Sequence, residues 1–210
     1  TIREFANVIN RVTGGGVSDI AGTIDASQFS NANFYFINPA GVVFGDGFNL
    51  NVSGSFFVST ANELKFADNA SFSATTPTGS SLTMAAPQSF GFLGGQSGDV
   101  RFAFSLPTGR TLGGENSAIH VSARNIGLAN FQLGHVGRGM QMAGVGDEAA
   151  NLAIGSVLPG GLDGNVTVDK GGLHVYSAPA DTRRLGGINI SAGSIVFSGT
   201  DANPFNIGSA

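Results

Sequence analysis

Apolar and polar residues alternate in short runs along the first third of the chain, and turn-forming residues cut the runs at near-regular intervals. In NFYFINPAGVVF, Phe34 and Phe36 lie two residues apart, Asn38-Pro39-Ala40-Gly41 follows, and Val42 and Phe44 resume the alternation. A period of two marks a strand with one face buried. The residues between have the composition of a β-turn: Asn suits the first position, Pro presets φ at the second, and Gly suits the fourth. The stretch predicts strand, turn, strand. The opening segment is open to two readings, because Phe5, Val8, Ile9 and Val12 have helical spacing while Val8, Asn10 and Val12 suit a strand.

The alternation recurs at a constant offset. Adding 22 to Phe34/Phe36, Val42/Phe44 and Leu50/Val52 gives Phe56/Val58, Leu64/Phe66 and Phe72/Ala74, all apolar. Far downstream, Gly164 to Ser177 superposes on Gly186 to Gly199 with the same shift, Val166 falling on Ile188 and Val175 on Phe197. Three short strands per cycle of about 22 residues make one coil of a parallel β-helix. One coil cannot bury its own inward face, so coils stack at about 4.8 Å per layer, and about nine would fit the chain. A β-sandwich or jelly roll also has many short strands but gives no reason for a constant offset. The predicted fold is therefore all-β, a single-stranded right-handed parallel β-helix with extra-helical loops or hairpins, the hand following the crossover rule.

The rhythm breaks in two places. Residues 75–98 hold the clusters TTPTGSS, AAPQSF and FLGGQSG, which predict loops around one strand. Residues 124–155 are too irregular for coils and are expected to leave the rod, as a hairpin near Phe131 to Met142 or a helical turn at Asp147 to Leu152. The whole of 1–210 is expected to be one β-helical domain.

Composition narrows the function. Charged residues are only 11%, against roughly a quarter in ordinary domains, so the polar surface is built from Ser, Thr, Asn and Gln. Stacked strands favour this, since like charges in successive layers would repel. A net charge of −4 gives no basic face for nucleic acid. The absence of cysteine removes disulfides and thiolate metal sites. No apolar run approaches the ~20 residues of a membrane helix. Nucleophile elbows, phosphate loops, dinucleotide fingerprints and zinc-protease motifs are all missing from the sequence. His120, His135 and His174 are far apart, and the alternation turns His120 and His174 outward to solvent. Asp163, Asp169 and Asp181 read as corner and loop residues, not as a stacked pair of catalytic carboxylates. No catalytic residue, metal or cofactor is expected.

Three ordered blocks carry a resemblance: VINRVTGGGVSDIAGTIDAS, NANFYFINPAGVVFG and LNVSGSFFVSTANELKFAD. Together they resemble the secretion domain of two-partner secretion exoproteins of the filamentous haemagglutinin type. Asn10-Arg11-Val12-Thr13-Gly14 matches the family's first pattern, Ser18, Ile20, Gly22 and Ile24 its second, and Ile37 to Gly45 its third. The likeness is dense from about Phe5 to Thr75 and looser beyond. It implies a domain recognised in a non-native state, in the periplasm of a Gram-negative bacterium, by the POTRA domains of a dedicated outer-membrane transporter. The exported protein would be a secreted or cell-surface adhesin or haemagglutinin, monomeric, with host or surface glycans as ligands of the full-length protein. The export signal would include Asn38, Pro39, Ala40, Gly41 and Val42, together with Asn10, Arg11 and Val12. Asn38 and Gly41 are expected to matter more for secretion than for stability. Two departures stand out. The family pattern has Asn and Ile where this chain has Ala40 and Val42. The family's domain also begins with a capping segment that would precede Thr1, so the chain reads as lacking its N-terminal cap. A β-helical carbohydrate-active enzyme or glycan-binding module is the alternative of a different class.

Overall fold

In the computed structural model, the described residues are 4–154, apart from 96, 106–109, 112–117, 130–131, 136–139 and 145–148, and the strand segments 165–169, 172–176, 188–191 and 196–197. They are all-β, with no helix among them.

The alternating runs of the first two blocks become two coils of three strands each. β1 (Asn7–Arg11), β2 (Ser18–Ile20) and β3 (Thr23–Asp25) form the first; β4 (Asn33–Ile37), β5 (Val42–Phe44) and β6 (Asn49–Asn51) form the second. Each strand of the second lies parallel beneath its counterpart, with Val8 opposite Phe34, Ile20 opposite Phe44 and Ile24 opposite Leu50. The opening segment is thus a strand. The third coil starts with β7 (Phe56–Ser59) directly under β4, Phe34 facing Phe56 and Phe36 facing Val58. This is the 22-residue offset that the alternation predicts.

The chain then leaves the rod. β8 (Glu63–Phe66), β9 (Ser71–Ser73) and β10 (Pro87–Leu93) pair antiparallel, and only with β11 (Val100–Ala103) does the third coil resume beneath β5. β10 is the single strand among the loops expected over 75–98. β12 (Arg110–Thr111) follows, then β13 (Ile119–Ala123), β14 (Ile126–Ala129) and β15 (Gln132–His135) as a fourth coil. β16 (Met140–Gly144) lies parallel under β13. β17 (Ala149–Ala153) instead crosses to β10, and β18 (Asn165–Asp169) and β19 (Gly172–Tyr176) make an antiparallel hairpin at the end of the first sheet. β20 (Ile188–Ser191) and β21 (Val196–Phe197) return to the rod under β14 and β15. The result is a parallel β-solenoid whose first sheet runs β1-β4-β7-β13-β16 and whose second runs β2-β5-β11-β14-β20.

Several expectations are corrected here. The parallel stack is five layers deep among the described residues, not nine, because two antiparallel excursions consume chain without adding coils. Val42 and Phe44 stack on Val100 and Phe102, not on Leu64 and Phe66. Val166 and Ile188 do not stack either, since β18 belongs to the hairpin and β20 pairs with β14. Within 124–155, β14 and β16 continue the coils in parallel, and the expected hairpin over Phe131 to Met142 is replaced by β15 and β16 in different sheets. Residues 149–152, expected in a helical turn, belong to strand β17, the segment that does leave the rod.

A second core explains why all the shifted positions are apolar. The first core fills the coil with Val42, Phe44, Phe48, Phe56, Val58, Val100, Phe102, Ile119, Val121, Ile126 and Leu128. Phe44 stacks on Phe102 with ring centres 4.8 Å apart. The second lies outside the coil, where the β8–β10 excursion covers the outer face of β4 and β7. There Leu64, Phe66, Phe72, Phe90 and Phe92 meet Tyr35, Ile37 and Phe57. Both faces of β4 and β7 are therefore buried, a condition that produces apolar runs such as NFYFI and FFV. On the outer face Tyr35, Phe57 and His120 form a column of parallel rings, 4.5 Å and then 4.4 Å apart. His120 does face outward, as its neighbours predict, but is half-buried against Phe57 and not open to solvent. Burial pushes the Tyr35 phenol well above its ordinary pKa.

Phe57 is the middle ring of that column and the floor of the second core. Phe57→Ala is expected to destabilise the domain by about 3–5 kcal/mol, measured by urea denaturation. Hydrogen exchange should rise more in β8–β10 than in β5 and β6.

Candidate functional site

The corner between β4 and β5 is where the sequence places its candidate residues. Asn38 opens the turn, and its carbonyl accepts the Gly41 amide at 3.0 Å. Pro39 and Ala40 both keep negative φ, whereas Gly41 sits at +124°. A Cβ at Gly41 would also stand 3.0 Å from the Asp99 carbonyl, so glycine is required twice over. Asn38 is 1% exposed and fully engaged. Its Nδ2 donates to the Gly16 carbonyl at 2.9 Å and to Ser18 Oγ at 2.8 Å, in the layer above. Its Oδ1 accepts the Ala40 amide at 3.0 Å, and its own amide donates to Ser59 in the layer below. The side chain thereby ties its own turn to the layer above, and the backbone amide ties the turn to the layer below.

The underside of the turn is closed by residues that sequence reasoning did not single out. Gly98 N donates to the Pro39 carbonyl at 2.7 Å, and Val42 N to the Asp99 carbonyl at 3.0 Å. Thr60 Oγ1 donates to the Gly98 carbonyl at 2.8 Å. The Asp99 carboxylate accepts Arg124 Nε and Asn125 Nδ2, each at 3.0 Å, and a longer contact from the exposed Arg101. Burial disfavours the Asp99 charge, but the hydrogen bonds from Arg124 and Asn125 and the nearby guanidinium outweigh it, holding the carboxyl below its ordinary value. Beside the turn, below Ile37, Ser59 and Ser122 stack in the next two layers, both buried, with Ser122 Oγ donating to Ser59 Oγ at 2.8 Å.

The second candidate segment lies in the layer above, over the end of β4 that leads into the first. Arg11 pairs with Ile37, and Val12 N donates to the Ile37 carbonyl at 2.8 Å. Asn10 lies opposite Phe36, its Nδ2 buried without a hydrogen-bond partner. Arg11 points the other way. Its guanidinium lies 4.0 Å over the Phe72 ring and donates to the Ser73 carbonyl and Ser80 Oγ, closing the second core across 62 to 69 residues. The structure thus brings the backbones of both segments to one corner and sends their side chains to different places. No cluster of His, Cys, Asp and Glu suited to a metal occurs among the described residues. Of the acidic group noted in the sequence, Asp163 and Asp181 lie outside the described residues, as do the side chains of Asp169, His135 and His174.

This combination, a parallel solenoid with a buried Asn-Pro-x-Gly corner, agrees with a match over residues 2–209 to the TPS secretion domain. The chain belongs to that family. No curated protein and no solved structure matches it. As a TPS secretion domain it is part of an exoprotein of Gram-negative two-partner secretion, a route that runs through a partner transporter in the outer membrane. The family is one of export domains, not of enzymes.

Asp99 gives this TPS domain a pH dependence of known sign. Its folded carboxyl loses its proton more readily than the unfolded one. The stability it contributes is complete above the unfolded value of about 4 and fades as pH falls through the lower folded value. Asp99→Asn should therefore cost about 1–2 kcal/mol near neutral pH, with the gap from wild type narrowing towards pH 3. Urea titrations at both pH values check this.

Proposed function

We propose that the corner Asn38, Pro39, Ala40, Gly41 and Val42, with Asn10, Arg11 and Val12 in the layer above, is the export signal of this domain. The POTRA domains of the partner transporter read it in the periplasm before the coil forms. One observation carries the reading: in the folded domain Asn38, Pro39, Gly41 and Val42 are all buried and Ala40 is half-exposed, with Asn10, Arg11 and Val12 half-buried in the layer above. A partner docking on the finished rod would meet almost none of the corner. A partner meeting the non-native chain would meet all of it.

The solenoid suits such a route. Each coil needs only its neighbour to bury its inward face, so the chain can order layer by layer as it emerges. No disulfide has to be formed on the way, as the chain has no cysteine. Folding outside the cell then withdraws the signal and favours onward movement. Ala40 fits this account. It stands where the family pattern has Asn, and it is the one half-exposed position of the turn. The exoprotein that carries the domain is an adhesin or haemagglutinin on this reading, its ligand-binding region lying elsewhere in the full-length protein.

Expression of the exoprotein with and without its transporter tests the proposal. Secretion should require the transporter and fall to background when residues 38–42 are replaced by a Gly/Ser segment. Leu50→Ala, which lightens the core of the same coil in β6, opposite Ile24 and outside the segment, should still be secreted. Equal loss in both variants would assign the corner to folding alone.

A further inference from the structure

The corner is hidden from two sides, and the two sides reach it at different times. From above come Gly16 and Ser18, only 22 and 20 residues before Asn38. From below, Ser59 reaches the Asn38 amide early, but Gly98 and Asp99, which close Pro39 and Val42, come after the whole β8–β10 excursion. We infer that Gly98-Asp99 is a latch: the returning third coil closes over the underside of the corner and converts the export signal from readable to hidden. This rests on the reading of residues 38–42 as the signal.

The geometry at the latch is specific. Gly98 and Asp99 supply the partners of the two backbone groups that the turn leaves open below, the Pro39 carbonyl and the Val42 amide. Gly98 must lack a side chain, because a Cβ there would overlap the Ala40 carbonyl and lie 2.6 Å from the Gly41 nitrogen. The latch is itself held by the next coil. Arg124 and Asn125 grip the Asp99 carboxylate, Arg124 N donates to the Gly98 carbonyl at 3.2 Å, and Val100 N donates to the Asn125 carbonyl at 3.0 Å. The first layers close over 22 to 26 residues, as in Phe34 on Phe56 and Val8 on Phe34, whereas Val42 waits for Val100. The longer closure adds little loop entropy, which grows only with the logarithm of loop length. Its consequence is order: contacts distant in sequence form late. The excursion thus acts as a spacer that keeps the underside of the signal open while the first two coils form, and residues 98–125 end that interval.

The test uses Gly98→Ala, with Gly14→Ala as control, since a Cβ at Gly14 has no neighbour within 4 Å. In the purified domain, without transporter, hydrogen exchange of a peptide covering 38–44 should speed by about tenfold or more in Gly98→Ala. A peptide covering 49–52 should stay protected, and Gly14→Ala should match wild type. In cells, the exoprotein is accumulated in the periplasm before transporter expression is induced, and the secretable fraction is followed against delay. Gly98→Ala should stay secretable several-fold longer than wild type. Unchanged protection at 38–44 would overturn the latch as a structural element, and lost protection with an unchanged secretion interval would overturn its control of the signal. If Gly98→Ala does not fold, Asp99→Asn, which keeps the shape and weakens the grip of Arg124, takes its place in both measurements with the same expected directions. Failure of the export-signal reading would show separately, as continued secretion when residues 38–42 are replaced.

Discussion

Each layer of this rod leaves a row of backbone donors and acceptors that only the next layer can satisfy. That constraint governs the rest of the structure. It makes register a matter of stacking: Phe34 on Phe56 and Phe44 on Phe102 put like residue over like, and inward columns become aromatic. It also explains the sparse charge, because outward columns repeat as well. The Asp99 charge at the corner is answered from the next layer by Arg124 and Asn125. At the corners, where strands end and ladders break, polar side chains take over. Asn38 is the fullest case, bonding upward to Gly16 and Ser18 and within its own turn to Ala40.

The second core is the other organising feature. An ordinary coil shows its outer face to water, but β4 and β7 carry Tyr35, Ile37 and Phe57 there, and the antiparallel excursion covers them. The excursion is thereby docked on the two layers that precede it, with Arg11 closing its rim over Phe72. It is a built part of the domain, and it sets the distance in sequence between the corner and the residues that complete it.

Much of this was legible in the residues, for identifiable reasons. Alternation named the strands from Phe34 to Val58 and the turn at 38–41, because period two and turn composition are local properties, but it left the opening segment open between helix and strand. The 22-residue offset correctly stacked Phe34 and Phe36 on Phe56 and Val58. It failed at Leu64, Phe66, Phe72 and Ala74, which are buried but in the second core. Periodicity reports that a face is buried, not which neighbour buries it. The same limit applies to β18 and β19, whose alternation belongs to a hairpin. At the candidate site the upper contacts were within reach of the motif, since Ser18 lies in a block that the family pattern covers. Gly98, Asp99, Arg124 and Asn125 carried no local signal, because their role comes from closure across a long excursion. His120 was correctly turned outward, yet only the fold shows that its ring stacks on Phe57.

The central claim is that folding hides the residues by which the domain is recognised. The chain has no cysteine, so single-cysteine variants report accessibility without background. Val42→Cys and Ala40→Cys would be labelled with a thiol-reactive probe in the folded domain and in the unfolded chain. The account predicts rapid labelling of both when unfolded, and in the folded domain strong protection at 42 with residual labelling at 40. Rapid labelling at 42 in the folded domain would contradict it, since the corner would then be open to a partner on the finished rod.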